Sequence, residues 1–183
     1  TELPDLKTEL VEPEDIDFED MLLNYHMDLA LRRDSAKNPA LQSECLYNEP
    51  FALIVPENHS LTTANYAGLE KLTAEKFILS GLHHNTFYGA SLKQIFSSHN
   101  FAPQVTIESD YGATVLSLVA MGLGVTILPA SYAFSAKAGV RFINLPYQTS
   151  LYANWRRDDN NPALRNLLQL VRKVAPKFNQ YSL

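Results

Sequence analysis

The stretch Glu108–Pro129, ESDYGATVLSLVAMGLGVTILP, decides how the chain is read. Glu108-Ser109-Asp110 suits the close of a strand and the cap of a helix, because short oxygen-bearing side chains accept from the first unpaired N–H groups of a helix. Tyr111–Met121 then carries apolar residues at helical spacing, with Val115, Leu118 and Val119 on one face. Gly122 is a helix stop, since glycine takes the left-handed conformation beyond the last turn without a Cβ clash. Val125–Leu128 is a short β-branched apolar run closed by Pro129. Strand, helix and buried strand in that order make the unit of a parallel sheet covered by helices. The expected fold class is therefore α/β.

Composition narrows the function. The chain has 183 residues, 46% of them hydrophobic and 19% charged, enough to bury a core in one domain or two small lobes. The formal net charge is -5 and no basic run is present. That argues against these residues gripping a phosphate backbone, because such affinity comes largely from Lys and Arg. The single cysteine, Cys45, cannot form an internal disulfide, which suits a reducing cytoplasm. No transmembrane-length apolar run or signal peptide appears, so no membrane partner is expected.

Outward from the central stretch, strands and helices alternate. Leu6–Glu12 reads as a strand entered through Pro4-Asp5. Ile16–Tyr25 reads as a helix capped by Asp15, with Phe18, Met21, Leu22 and Tyr25 facing inward. Asp28–Leu31 is a short strand. The polar segment Arg32–Ser43, which holds Pro39, reads as a loop. Strands are expected at Phe51–Val55, Phe77–Leu79, Val105–Glu108, Val140–Leu145 and Ser150–Trp155. The loop Ser80–Asn85 leads into a helix from Thr86 to His99. Pro162–Phe178 is an amphipathic helix with Leu164, Leu167, Leu168, Val171 and Val174 on one side. No internal repeat or low-complexity linker interrupts the pattern.

The residues offer little for catalysis. His83-His84 are adjacent, so in an extended segment their side chains diverge and cannot form a typical two-ligand metal site. The patterns Cys-x-x-Cys, His-Glu-x-x-His and Gly-x-Ser-x-Gly are absent. Gly122-Leu123-Gly124 follows a helix and precedes a strand, the reverse of a dinucleotide-binding loop. Ser109-Asp110 is most simply a helix cap. No enzyme activity, metal or cofactor is expected.

Four further motifs extend a resemblance over nearly the whole chain. Leu3–Leu6 with Glu9–Glu12 resembles the strand P-D-V-x-L-E-L-x-E of the effector-binding domain of LysR-type transcriptional regulators. Tyr25–Leu31, YHMDLAL, is similar to that family's G-x-L-D-L-A-L strand. Glu49–Leu61, EPFALIVPENHSL, resembles E-x-L-x-L-V-x-P-x-x-H-P-L, with Ser60 where proline is usual. Trp155–Leu168 resembles the closing W-R-x-x-x-x-N-P-x-L pattern, and the GLG turn running into Leu-Pro resembles the family's own. The resemblance implies a two-lobed type 2 periplasmic-binding-protein-like fold with a ligand cleft between the lobes. Residues 1–56 and 147–183 would form lobe I, and 57–146 lobe II. Crossing strands would fall near Ile54–Glu57 and Leu145–Ser150. The family's first strand and helix of lobe I, and its DNA-binding helix-turn-helix, have no counterpart in this sequence. Strands Leu6–Glu12 and Asp28–Leu31 would then carry unpaired backbone groups, at a cost if buried.

What this implies for function is an effector-sensing domain. A small metabolite, in one version a carboxylate, would bind between the lobes and control DNA binding by the absent N-terminal domain. The partners implied are that small-molecule effector, a second copy in a homodimer or higher homo-oligomer, and DNA only through the missing domain. The alternative is a solute-binding protein of a transporter, which uses the same fold. Ligands of open α/β sheets sit beyond the carboxyl ends of strands, at helix N-termini whose N–H groups favour an anion. That points to Ser80 and Thr86 at one strand–helix turn, and to Ser109, Asp110 and Tyr111 at the next. Thr86 reads equally as a plain cap, and Asp110 reads as a cap before it reads as a contact. Arg32, just after the Asp28–Leu31 strand, is where family members that bind carboxylates can carry an arginine. A guanidinium suits a planar carboxylate, although a solvated surface arginine fits the position too. Thr126 completes the candidate set, unless it faces the core.

Overall fold

A computed structural model describes residues 6–11, 17–79, 82, 86–136 and 138–181, with side chains as far as Phe178. These residues fall into two compact units. The first holds the described residues up to Asn48 and from Ser150 onward, and the second is Glu49–Thr149.

Three strands make the sheet of the first unit: β1 (Ala30–Arg32), the leading part of β2 (Leu41–Pro56) and the trailing part of β6 (Val140–Arg156). β6 is central. β1 runs antiparallel to it through Ala30↔Asn154, Leu31↔Ala153 and Arg32↔Tyr152, and β2 lies on its other side. Side chains alternate across a strand, so each face gathers its own helix. On one face α1 (Phe18–Leu23) packs Phe18 and Leu22 against Ala30 and Leu41. On the other, α4 (Pro162–Val174) sets Leu164 and Leu168 on Ala153. Asn161 caps α4 by accepting from the Ala163 N–H at 3.0 Å, with Pro162 in the first turn, where its missing N–H costs nothing.

Several expected boundaries change here. Leu6–Val11 forms no strand, and Leu10 is 90% exposed; a strand needs a ladder partner, and among the described residues none pairs with this segment. Glu12 and Asp15 lie outside the described residues. Asp17 caps α1 by accepting from the Glu19 N–H at 2.9 Å. The helix stops early because Tyr25 turns left-handed, with φ 60. Tyr25 therefore faces out, 76% exposed, rather than inward. The C-terminal helix ends at Val174 and gives way to a 3-10 turn, Ala175–Tyr181, because Pro176 has no N–H and its ring clashes one turn back. Phe178 in that turn stacks on Tyr47 at 5.1 Å.

The second unit holds a two-stranded sheet and, beside it, a strand that pairs with the trailing part of β2. β3 (Lys76–Leu79) and β4 (Gln104–Glu108) are parallel. β5 (Thr126–Pro129) pairs antiparallel with β2 from Phe51↔Pro129 to Ile54↔Thr126. Two 2.8 Å bonds, Ile78 N–H to Val125 O and Val125 N–H to Lys76 O, tie β3 to the start of β5. Helix α2 (Phe87–Ser98) buries Leu92, Ile95 and Phe96 against Phe77, Leu79 and Phe101. Helix α3 (Gly112–Ala120) buries Val115, Leu116 and Val119, so Leu116 rather than Leu118 completes the face. Both glycines of the GLG turn have a reason. Gly122 is left-handed, with φ +78. At Gly124 a Cβ would lie 2.5 Å from the Lys76 carbonyl oxygen, so only glycine lets β3 come this close.

β2 and β6 are single strands of 16 and 17 residues. They replace the shorter expected strands Phe51–Val55, Val140–Leu145 and Ser150–Trp155. Pro50, Pro146 and the polar residues beside them mask the continuity in the sequence. The chain changes unit within these strands, at Asn48–Glu49 and at Thr149–Ser150.

Arg156, at the end of β6, fastens the first unit. Its buried guanidinium donates to the carbonyls of Leu22 (2.7 Å) and Met27 (2.6 Å) and to the carboxylates of Asp28 (2.6 Å) and Asp159 (2.5 Å). The Tyr25 ring covers it at 4.2 Å. Burial pushes the Asp159 carboxyl up, but the Asn161 N–H and Arg156 together outweigh it and hold its pKa below the ordinary value. Asp159 therefore stabilises the fold fully above about pH 4, its ordinary value, and that contribution is lost as pH falls through the depressed folded value. Arg156→Ala is expected to cost about 3–5 kcal/mol in urea denaturation at neutral pH, because Asp159 is left buried without its cation. The acid limb of the stability curve should flatten in the same variant.

Candidate functional site

In the second unit the carboxyl ends of β3 and β4 lie side by side, Leu79 opposite Glu108. The Ser109 N–H donates to the Leu79 carbonyl at 3.1 Å and closes the pair. Each end feeds a helix, so the starts of α2 and α3 share one edge of the sheet. Helix starts carry N–H groups with no partner inside the helix and a partial positive charge. At α2, Thr86 is the N-cap and its hydroxyl accepts from the Gly89 N–H at 3.1 Å. Ser80 lies outside the described residues.

At α3 the expected cap does not form. The N-cap is Tyr111, without a side-chain cap bond, and Ser109 reaches only the Tyr111 N–H, at 3.4 Å. The reason is one residue of offset: α3 starts at Gly112, so Ser109 and Asp110 stand before the capping position. Phe87 and Tyr111, about half exposed, flank the two helix starts.

Two residues that sequence reasoning missed shape this edge. A Cβ on Gly112 would overlap the Tyr132 ring, so Tyr132 lies directly on the start of α3. Tyr132 sits in a 3-10 turn, Ala130–Phe134. Glu49, fully buried, anchors that turn by accepting from the Ser131 N–H and, at 2.9 Å, from its hydroxyl. A glycine at a helix start was the one available signal, because the sequence does not say what approaches it.

Thr126 is fully buried, and its hydroxyl has no hydrogen-bond partner. Its neighbours Val125 and Ile127 belong to the core cluster with α2, so alternation turns Thr126 to the opposite face of the sheet. The structure does not group it with Ser109 and Tyr111.

Arg32, in the first unit, is the last residue of β1. Its side chain is 32% exposed, its Nε lies 3.6 Å from an Asp34 carboxylate oxygen, and the guanidinium lies 5.3 Å from the Phe18 ring centroid. Asp34 was not singled out in the sequence.

A cluster of titratable groups lies in the second unit. His99 engages Glu70 through Nδ1 (3.1 Å) and the Tyr147 hydroxyl through Nε2 (2.7 Å). Burial, then the charges of Glu70 and Tyr147, push the nearby Tyr66 phenol up to about 12, so it stays protonated. Among the described residues no group of His, Cys, Asp or Glu is placed to hold a metal, and no helix is long and apolar enough to cross a membrane. His83-His84 lie outside the described residues.

Comparison with known proteins points one way. A family model described as the LysR substrate binding domain matches residues 1–176. An uncharacterized HTH-type transcriptional regulator of Escherichia coli strain K12, YnfL, is 26% identical over 79% of this chain and 50% of its own length. The chain spans about half the length of the curated relatives it matches. Among solved structures, the Synechocystis PCC6803 CcmR regulatory domain in complex with 2-PG aligns with a TM-score of 0.72 at 16% identity, covering 86% of this chain and 78% of that one. The BenM effector binding domain with its effector benzoate aligns with a TM-score of 0.70 at 21% identity, covering 91% and 77%. These structures share the two-lobed periplasmic-binding-protein-like α/β fold, and the present chain has it.

The unpartnered Thr126 hydroxyl gives a direct test. Thr126→Val keeps the shape and removes a buried group that has lost its water. It is expected to raise stability by about 1 kcal/mol in chemical denaturation. A loss of stability would mean that the hydroxyl has a partner.

Proposed function

The chain belongs to the LysR substrate-binding-domain family, and from that premise we propose that it senses a small carboxylate metabolite on behalf of a transcriptional regulator. The observation that carries the reading is the family match over residues 1–176. The curated relatives are regulators, so the solute-binding-protein alternative is not favoured. The role is binding rather than catalysis. In this reading the full-length protein is cytoplasmic, touches DNA through a separate N-terminal domain and works as a homodimer or higher homo-oligomer. The two compact units serve as its lobes. The effector shifts the balance between arrangements of the regulator only as far as its affinities for them differ.

Chemistry favours an anion. The adjacent starts of α2 and α3 offer N–H groups and positive dipole ends, and Arg32 offers a formal charge suited to a planar carboxylate. Thr86 then has two parts, cap and contact. Asp110 and Tyr111 stand at the α3 start, where they select what fits beside the anion.

The experiment is calorimetric titration with benzoate and succinate, an aromatic and an aliphatic carboxylate. Arg32→Ala is expected to weaken binding about tenfold or more, since it removes a charge-assisted pair. Thr86→Ala should weaken binding less, because the backbone N–H groups remain, and should lower stability by about 0.5–2 kcal/mol through the lost cap. Unchanged affinity in both variants would leave Arg32 a surface residue and Thr86 a cap.

A further inference from the structure

The segment between β1 and β2 looks like a plain polar loop in the sequence, yet the structure pins it at almost every residue. Asn154, fully buried on the central strand β6, holds its first half. Its Oδ1 accepts from the Ala36 N–H (2.9 Å) and the Ser43 hydroxyl (2.6 Å), and its Nδ2 donates to the Asp34 carbonyl (3.2 Å). A backbone N–H can only donate and a carbonyl can only accept, so the amide orientation is fixed by its partners. No aliphatic or acidic side chain serves both. Farther along, Glu19 accepts from the N–H groups of Lys37 (2.6 Å) and Asn38 (3.1 Å), and Arg157 donates to the Pro39 carbonyl at 2.9 Å.

The pinned segment begins directly after Arg32. Asp34, whose carbonyl Asn154 holds, also supplies the carboxylate 3.6 Å from the Arg32 guanidinium. The Phe18 ring centroid lies 5.3 Å from the same guanidinium. Arg32 thus has near it the Phe18 ring, carried by α1, and the carboxylate of a residue whose backbone Asn154 holds. We infer that Asn154 is a positioning residue: by holding Asp34 it orders the Arg32 guanidinium in advance, so that a carboxylate effector meets an arginine already oriented. The inference rests on the proposed contact between Arg32 and the effector. Without Asn154 the ordering of that side chain falls on binding itself, which weakens affinity about threefold to tenfold.

The test titrates benzoate and succinate against the chain by amide chemical-shift perturbation, with a melting curve for each variant. Asn154→Ala and Ser43→Ala are each made with Arg32 intact and in the Arg32→Ala background. Ser43→Ala removes a single partner of the Asn154 amide and carries the test if Asn154→Ala does not fold. With Arg32 intact, either substitution should weaken binding by that threefold to tenfold. In the Arg32→Ala background neither should weaken it further, while the loss of melting temperature is the same in both. A purely structural role would move melting without this dependence on Arg32. Equal binding losses in both backgrounds, or no loss in either, overturn the positioning role and leave the Arg32 contact standing. Arg32→Ala binding as well as wild type, or wild type binding neither probe, overturns the contact and the inference with it.

Discussion

Parallel pairing of β3 and β4 is the constraint on which the candidate site depends. Parallel strands cannot be joined by a tight turn, so each must send its chain across a face of the sheet, and a helix is the usual crossover. Both strands end at the same edge, and both helices must start there. Leu79 and Glu108 fix the alignment, and the Ser109–Leu79 bond locks it. Two helix N-termini are brought together as a by-product of topology. The GLG turn serves the same constraint from the far end, since Gly124 lets the returning chain lie against Lys76 and complete the crossover.

The first unit is held differently, by buried polar side chains on one face of β6. Asn154 and Arg156 are two residues apart and therefore share a face. One binds the segment after β1 and the other the turn before it. Buried polar groups of this kind stabilise only if every donor and acceptor is met, because an orphan costs more than a bond gains. All N–H groups of the Arg156 guanidinium are met, and the Asn154 amide has a partner on both its oxygen and its nitrogen. The short strand β1, three residues long, is thus fixed at its two ends by side chains rather than by a long ladder, and its terminal residue Arg32 inherits that rigidity.

The sequence carried the α/β class, the order of the elements and the strand–helix–strand unit around GLG, because these follow from local periodicity and from glycine and proline. Helix α2 with its Thr86 cap and the left-handed Gly122 were legible for the same reason. The length of β2 and β6 was not, since Pro50 and Pro146 break the pattern without breaking the strands. The roles of Glu49, Tyr132, Asp34 and Asn154 were also invisible. Except for Asp34, which faces Arg32 two residues back, each acts on a partner far away in the chain, 118 residues in the case of Asn154 and Ala36, and no spacing rule reports such a pair. Arg32 was nominated only through the resemblance, because composition cannot distinguish a ligand-binding arginine from a solvated one.

The acidic balance of the chain sharpens the question of how it would hold an anion. A net charge of -5 repels anions at long range, but salt screens that field beyond about 8 Å under physiological conditions. Selection then falls to contacts within one or two residues of the ligand. Asp34 is the nearest such contact, an anion already beside Arg32. Its side chain and that of Arg32 are each about one-third exposed, and an ion pair so exposed is worth only about 0–1 kcal/mol. An incoming carboxylate that engages the guanidinium bidentately gains more than it displaces. In the proposed site Asp34 would therefore orient the arginine without neutralising it beyond use, and a neutral metabolite, which cannot offset even that small loss, would be disfavoured at this residue.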